Sequence, residues 1–207
     1  MTAHGFHKLA QAVRTAARDI RMATLAVCAV TVTACAGQPD HFYALSTMPE
    51  TPPPPASVFA THVILSVSIP SLVDRREMIV AASGDRILVL EHERWAAPLA
   101  DLVTQTLARD LEERRTDVLV ADRSYDQAGV KPIHIQVDVV RMSAHQGGRA
   151  TLESHWRIVD PASQIDAIGG ETFSAPIEGD DYSAIARAFS TCLASLADRL
   201  AGKLPSH

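Results

Sequence analysis

Residues 95–121, WAAPLADLVTQTLARDLEERRTDVLVA, contain the change of period that decides the fold. Trp95, Leu99, Leu102, Val103, Leu107 and Leu111 recur at intervals of three and four and share one face of a helix, with Asp101, Arg109, Glu112 and Arg115 on the other. Residues 118–121 (VLVA) then return to the composition of a strand. Upstream, residues 78–82 and 87–90 read as a hairpin across Ser83-Gly84-Asp85, where glycine permits a positive φ. Before it, residues 62–69 (HVILSVSI) form a strand rich in β-branched side chains, closed by Pro70, and residues 42–46 (FYALS) form a short first strand. Between these two, residues 49–55 (PETPPPP) suit a stiff exposed loop, since no basic flank or repeat accompanies them as a proline-recognition ligand would require.

Downstream, Ile133, Ile135, Val137 and Val139 alternate with His134, Gln136 and Asp138, the pattern of a half-buried strand. Leu152, Ser154, Trp156 and Ile158 do the same after a Gly147-Gly148 turn, and Phe173, Ala175 and Ile177 mark a last strand. A final helix is expected over residues 182–204, with Ile185, Phe189, Cys192, Leu193, Leu196 and Leu200 along its apolar stripe. Two helical periods around a set of alternating strands predict an α+β single domain: a mixed or antiparallel sheet with two long amphipathic helices packed on one face.

The chain of 207 residues is 47% hydrophobic with a net charge of −5, which argues against an electrostatic nucleic-acid binder. Its N-terminus reads as an address. Lys8, Arg14, Arg18 and Arg21 stand against a single acid, Asp19, and an uncharged run follows over residues 22–34 (MATLAVCAVTVTA). A spanning helix needs about 20 apolar residues, so this run is too short to cross a bilayer but suits a signal-peptide core. It ends in Val32-Thr33-Ala34-Cys35, which resembles a bacterial lipobox. The expectation is a lipoprotein signal peptide over residues 1–34, with Cys35 carrying the lipid that anchors the protein. A short tether over residues 35–41 then leads into a domain over residues 42–207. Residues 36–41 reach at most about 20 Å when extended, which keeps that domain close to its membrane. Ala36 is not the aspartate that commonly retains such proteins in the inner membrane, so the lipid anchor is expected in the outer membrane, facing the periplasm. Losing residues 1–34 removes four basic side chains and one acid and moves the charge from −5 to −8. Cys28 leaves with the signal and Cys35 is acylated, so Cys192 keeps no partner for an intramolecular disulfide.

The expected chemistry is sparse. No nucleophile elbow, phosphate-binding loop, dinucleotide fingerprint, metalloprotease motif or CxxC occurs downstream of Cys35. His134, His145 and His155 read as solvated strand histidines, since no tight His/Asp/Glu spacing supports a metal. Asp180-Asp181 precedes the last helix and suits its N-terminus, and Cys192 on the apolar stripe suits a core residue better than a nucleophile. Glu91, Glu93 and Asp74 are near one another in sequence without a sign of a shared cleft. The expectation is no enzyme, no catalytic residue, no metal and no cofactor beyond the covalent lipid on Cys35.

Residues 67–99, VSIPSLVDRREMIVAASGDRILVLEHERWAAPL, are more specific. A Pro-x-x-x-Asp-Arg turn after a strand, a hairpin, then Arg-Trp-Ala-x-Pro-Leu opening a helix resembles the PqiC (paraquat-inducible protein C) family. These are auxiliary lipoproteins of ABC-type and MCE-type (mammalian cell entry) transport systems. The matched positions are Pro70, Asp74, Arg75, Arg94, Trp95, Pro98 and Leu99; Leu72, Arg76 and Ala97 depart from the pattern. Trp95 suits a core anchor. Arg75 and Arg94 suit either a pairing with an acid such as Glu91 or Glu93 or, with Asp74, a contact to a partner. The resemblance implies a lipid-anchored accessory subunit of an intermembrane lipid transport system. Its implied partners are an MCE-domain periplasmic protein and an inner-membrane permease, with a homo-oligomeric ring as a further option. A periplasmic lipid-binding shuttle or chaperone is the alternative, and it would need an apolar cavity between helix and sheet.

Overall fold

Strands and helices of the computed structural model follow the two periods, and they fall into two sheets. Described are residues 38–48, 61–82, 86–121 and 131–205; the expected signal peptide, Cys35, the proline-rich stretch and the hairpin turn 83–85 lie outside them. The elements of the described residues all belong to the unit Asp40–His207. In chain order these are β1 (His41–Tyr43), β2 (Thr61–Ser68), β3 (Glu77–Ala81), β4 (Ile87–Trp95), α1 (Leu99–Arg114), β5 (Val118–Ala121), β6 (Ile133–Ala144), β7 (Arg149–Asp160), β8 (Ile165–Pro176) and α2 (Tyr182–Ala201). The larger sheet runs β5-β2-β6-β7-β8, and the smaller β1-β4-β3. The α+β class stands as expected, with the strands divided between two sheets.

In the larger sheet β2 lies parallel to both β5 and β6, while β6, β7 and β8 form an antiparallel meander. Val63, Leu65, Ile133, Ile135, Val137, Leu152, Trp156 and Ile158 are buried on one face. There α1 covers β5 and β2, α2 covers β7 and β8, and the helices also touch each other. His134, Gln136, His155 and Arg157 lie exposed on the opposite face. Helix α2 buries a broad face because Ala184, Ala186, Ala188 and Ala197 let its backbone come close to its neighbours. Each fully buried Leu or Ile removes enough apolar surface to stabilise the fold by about 1.5–3 kcal/mol.

Several boundaries move, each for a physical reason. Trp95 does not open the helix but ends β4. Pro98 has extended backbone angles (φ −49, ψ 134), and α1 begins at Leu99. Arg115, expected on the solvent face, is half-buried: its guanidinium holds Asp117 through two nitrogens (2.9 and 2.8 Å) and donates to the carbonyls of Ala201, Leu204 and Pro205 beyond the end of α2. The last helix accordingly stops at Ala201.

Strand β6 continues past Val139 through a bulge. Val139 opposes Ser154 and Arg141 opposes Glu153, so Val140 is left over, and it and Arg141 are both exposed. Strand β8 begins well before Phe173 and runs through Gly169-Gly170. A Cβ at Gly169 would sit 2.2 Å from Trp156 Cζ2, and one at Gly170 would sit 2.6 Å from His155 Cδ2. The two glycines, unpromising as strand formers, admit the two large rings of β7.

Candidate functional site

The 70–99 segment closes on itself. The carbonyl of Pro70 accepts from the backbone N–H groups of Val73 (3.0 Å) and Asp74 (3.1 Å), making a tight turn. That turn delivers Asp74 to the start of α1, where its Oδ1 accepts from the N–H of Ala100 at 3.3 Å. Pro98, at the N-cap position, makes no side-chain cap. Asp74 therefore supplies, from across the hairpin, the acceptor that a helix start needs.

Arg75 donates to Glu77 Oε2 (3.1 Å), and Arg94 lies 3.8 Å from Glu77 Oε1, so the acid between them is Glu77, not Glu91 or Glu93. Glu77's own backbone N–H, then Arg75, holds its carboxyl below the usual range. Arg94 also donates to the Glu91 carbonyl (3.0 Å) and pairs with Asp40 Oδ2 (3.3 Å). Asp40 Oδ1 lies 3.0 Å from His92 Nδ1. Glu93 accepts from Tyr43 (2.6 Å) and lies 3.0 Å from His41. Burial pushes the Glu93 carboxyl up, but those two partners outweigh it and hold it below its ordinary value. The Tyr43 phenol is pushed up to about 12 by burial and by that carboxylate. Trp95 is 2% exposed, its ring centroid 6.5 Å from that of Phe189 on α2. All four candidate residues thus have partners within the domain, while Arg75 and Arg94 keep 43% and 32% of their side chains in solvent.

The acids near one another in sequence do not converge: Asp74 is at α1, Glu93 at β1, and Glu91 is exposed. Cross-strand register places His155 opposite Asp138 and His134 opposite Val159, and His145 lies in the β6–β7 turn. Cys192 is buried with its Sγ 3.8 Å from the Ala150 carbonyl, and burial pushes its thiol up to about 11, far from a working nucleophile. Asp181 caps α2, accepting from Ala184 N–H (3.1 Å) and from Ser183 (2.7 Å). The pocket between Val73, Ile79, Trp95, Leu99, Met142 and Phe189 encloses about 10 Å³, the room of a single water.

Two features escaped the sequence pattern. Asp110, on the inner face of α1, is fully buried; its Oδ1 accepts from Met48 N–H (2.9 Å) and lies 3.5 Å from Arg114, while Oδ2 has no hydrogen-bond partner. Burial pushes its carboxyl up to about 6. The other is the far end of β4. Ile87, Leu88 and Val89 are 45%, 52% and 40% exposed although consecutive and apolar. Strand β1 pairs with Glu93–Trp95, so among the described residues this stretch of β4 has a strand partner, β3, on one side alone. A signal was available in the ILVL run, since a half-buried strand alternates and this one does not.

A helix-backed five-stranded sheet, joined by a small three-stranded sheet whose strands are tied to one another by charged pairs, makes an α+β domain. The chain belongs to the family of ABC-type transport auxiliary lipoprotein components, whose family model matches residues 43–201. No curated protein matches it. Among solved structures, an uncharacterized protein superposes with a TM-score of 0.67 at 14% identity, covering 81% of this chain and 100% of that one. A protein from Xanthomonas campestris does so at 0.56 and 20% identity, covering 80% and 92%. Both establish the fold alone. A PelC dodecamer from Paraburkholderia phytofirmans is looser, at a TM-score of 0.39 and 10% identity over 72% and 95%.

Proposed function

We propose that this chain is a lipid-anchored, non-catalytic accessory subunit of an intermembrane lipid transport system, holding the periplasmic end of an MCE-domain bridge at the outer membrane. Family membership over residues 43–201 carries the transport role. The anchor rests on Cys35, which lies only five residues before Asp40, the first residue of the folded unit. A docking role is further supported by how the most specific segment is used. Asp74 ties the turn to the start of α1 and Trp95 enters the core, while Glu77 and Arg94 pair within the small sheet, which suits a rigid adaptor. The pocket beside Trp95 and Phe189 has room for one water and none for an acyl chain, which needs a cavity hundreds of Å³ larger.

No metal, cofactor or reaction enters this reading; the covalent lipid is its one prosthetic group. The inner-membrane permease completes the assembly as a partner of the bridge. The test is twofold. Labelled palmitate should enter the wild-type chain and not Cys35→Ala; incorporation that survives the substitution defeats the anchor. An MCE-domain partner should co-purify with the wild type and be lost with Arg75→Glu/Arg94→Glu if those exposed guanidinium groups touch it. Unchanged capture removes them from the interface.

A further inference from the structure

The β3–β4 hairpin ends in an apolar stretch that the domain does not use. Ile87, Leu88 and Val89 are consecutive, so their side chains leave the ribbon on both of its sides, and all three are exposed. A protein docked on one face of a strand would cover every second residue; exposure on both faces of this stretch suits an apolar medium that can reach both, while Val80, opposite Leu88, roots the hairpin in the core. The boundary along β4 is abrupt. Residues 87–90 are Ile-Leu-Val-Leu and residues 91–94 are Glu-His-Glu-Arg. The paired strand divides: Met78 and Val80 are buried in the core, while Ile79 and Ala81, opposite Val89 and Ile87, are only half-buried.

Chain length supplies the occupant. Asp40 is held at the charged half of β4, 3.0 Å from His92 and 3.3 Å from Arg94. Asp40 stands five positions after Cys35, so the acylated residue lies within about 18 Å of it whatever path the chain takes. The hairpin reaches equally far: from His92 to Ile87 is five residues of strand, about 17 Å. We infer that the hairpin end at Ile87–Val89 is a second membrane contact, resting in the leaflet to which Cys35 is anchored. Exposed Arg86, next to Ile87, keeps the contact at head-group depth, in the manner of a shallow interfacial segment. One acyl group restrains distance but not orientation; a second contact fixes which way the docking surface faces. This inference rests on the anchor at Cys35.

The test uses the full acylated chain in vesicles of phosphatidylethanolamine and phosphatidylglycerol. Leu88→Cys and, separately, Val89→Cys carry an environment-sensitive fluorophore, and Thr172→Cys, on the exposed face of β8, serves as the aqueous reference. Cys35 is blocked by its lipid, and buried Cys192 escapes labelling. The labels at 88 and 89 should shift to shorter wavelength on reconstitution and be quenched by bromine-bearing phospholipids about two-fold or more above the label at 172. If the chain floats with the vesicles while the labels at 88 and 89 match that at 172, the anchor stands and the hairpin contact is overturned. A shift without lipid quenching, together with a doubled particle mass, assigns the stretch to a second copy and also overturns it. A chain without acyl mass that fails to float overturns the anchor reading and this inference with it.

Discussion

The five-stranded sheet and the three-stranded sheet solve the same problem by different means. The larger uses alternation over strands of up to 12 residues, interrupted in β6 by the bulge at Val140, and is backed by two helices over an apolar inner face. The smaller has strands of three, five and nine residues, and its base is tied by Asp40, Glu77, His92, Glu93 and Arg94. Its far end carries apolar side chains in solvent. The difference teaches where a sheet is anchored and where it is left open: Met78, Val80 and Trp95 join the core that the large layer builds, while Ile87, Leu88 and Val89 remain uncovered.

Substitutions can break that division. The largest loss is expected at Trp95, where β4 enters the core. Trp95→Ala should destabilise by about 3–5 kcal/mol in chemical denaturation, and a loss under about 1 kcal/mol would show that the sheets are not joined there. Next, Gly169→Ala sets a methyl 2.2 Å from Trp156 Cζ2; a cost of about 1–3 kcal/mol follows from overpacking, and its absence would mean that the indole moves aside freely.

A smaller and pH-dependent effect is expected at Asp110. Its folded carboxyl is pushed up to about 6, above its unfolded value, so the native state binds the proton more tightly. Stability from this group is present at low pH and is lost as pH rises from about 4 to about 6. Asp110→Asn, which retains an acceptor for Met48, should flatten that slope of Tm against pH; an unchanged slope would place its origin elsewhere. Least of all, Leu88→Ser should change stability by no more than about 0.5 kcal/mol. A large effect there would sharpen the comparison against us, by making the hairpin end part of the core.

Much of this was legible in the residues. Helix periods, the four residues of β5, the Asp181 cap and the core placement of Cys192 follow from local pattern, and the structure retains them. What escaped depends on partners distant in sequence. Phe173, Ala175 and Ile177 mark only the end of β8, and its two glycines fit a strand once Trp156 and His155 are laid across from them. Arg115 read as solvated until the end of α2, almost ninety residues on, supplies its carbonyls. Asp110 carries no local sign of burial, although the buried face of α1 includes it. In the 70–99 motif the residue types were evident, but Asp74's role as a cap was not, because the helix it serves starts 25 residues later. Division of the strands into two sheets was equally hidden, since pairing of β1 with β4 is a long-range choice that no local pattern encodes.

The bulge in β6 bears on the length of the chain as well as on its shape. Removing Val140 would join inward-facing Val139 to outward-facing Arg141 and leave both halves of the ladder with β7 in register. Removing any residue from 134 to 138 would instead turn the apolar set on one side of the cut toward water. Among the interior positions of β6, a deletion has a tolerated address at 140, and the strand can shorten there without exchanging its faces.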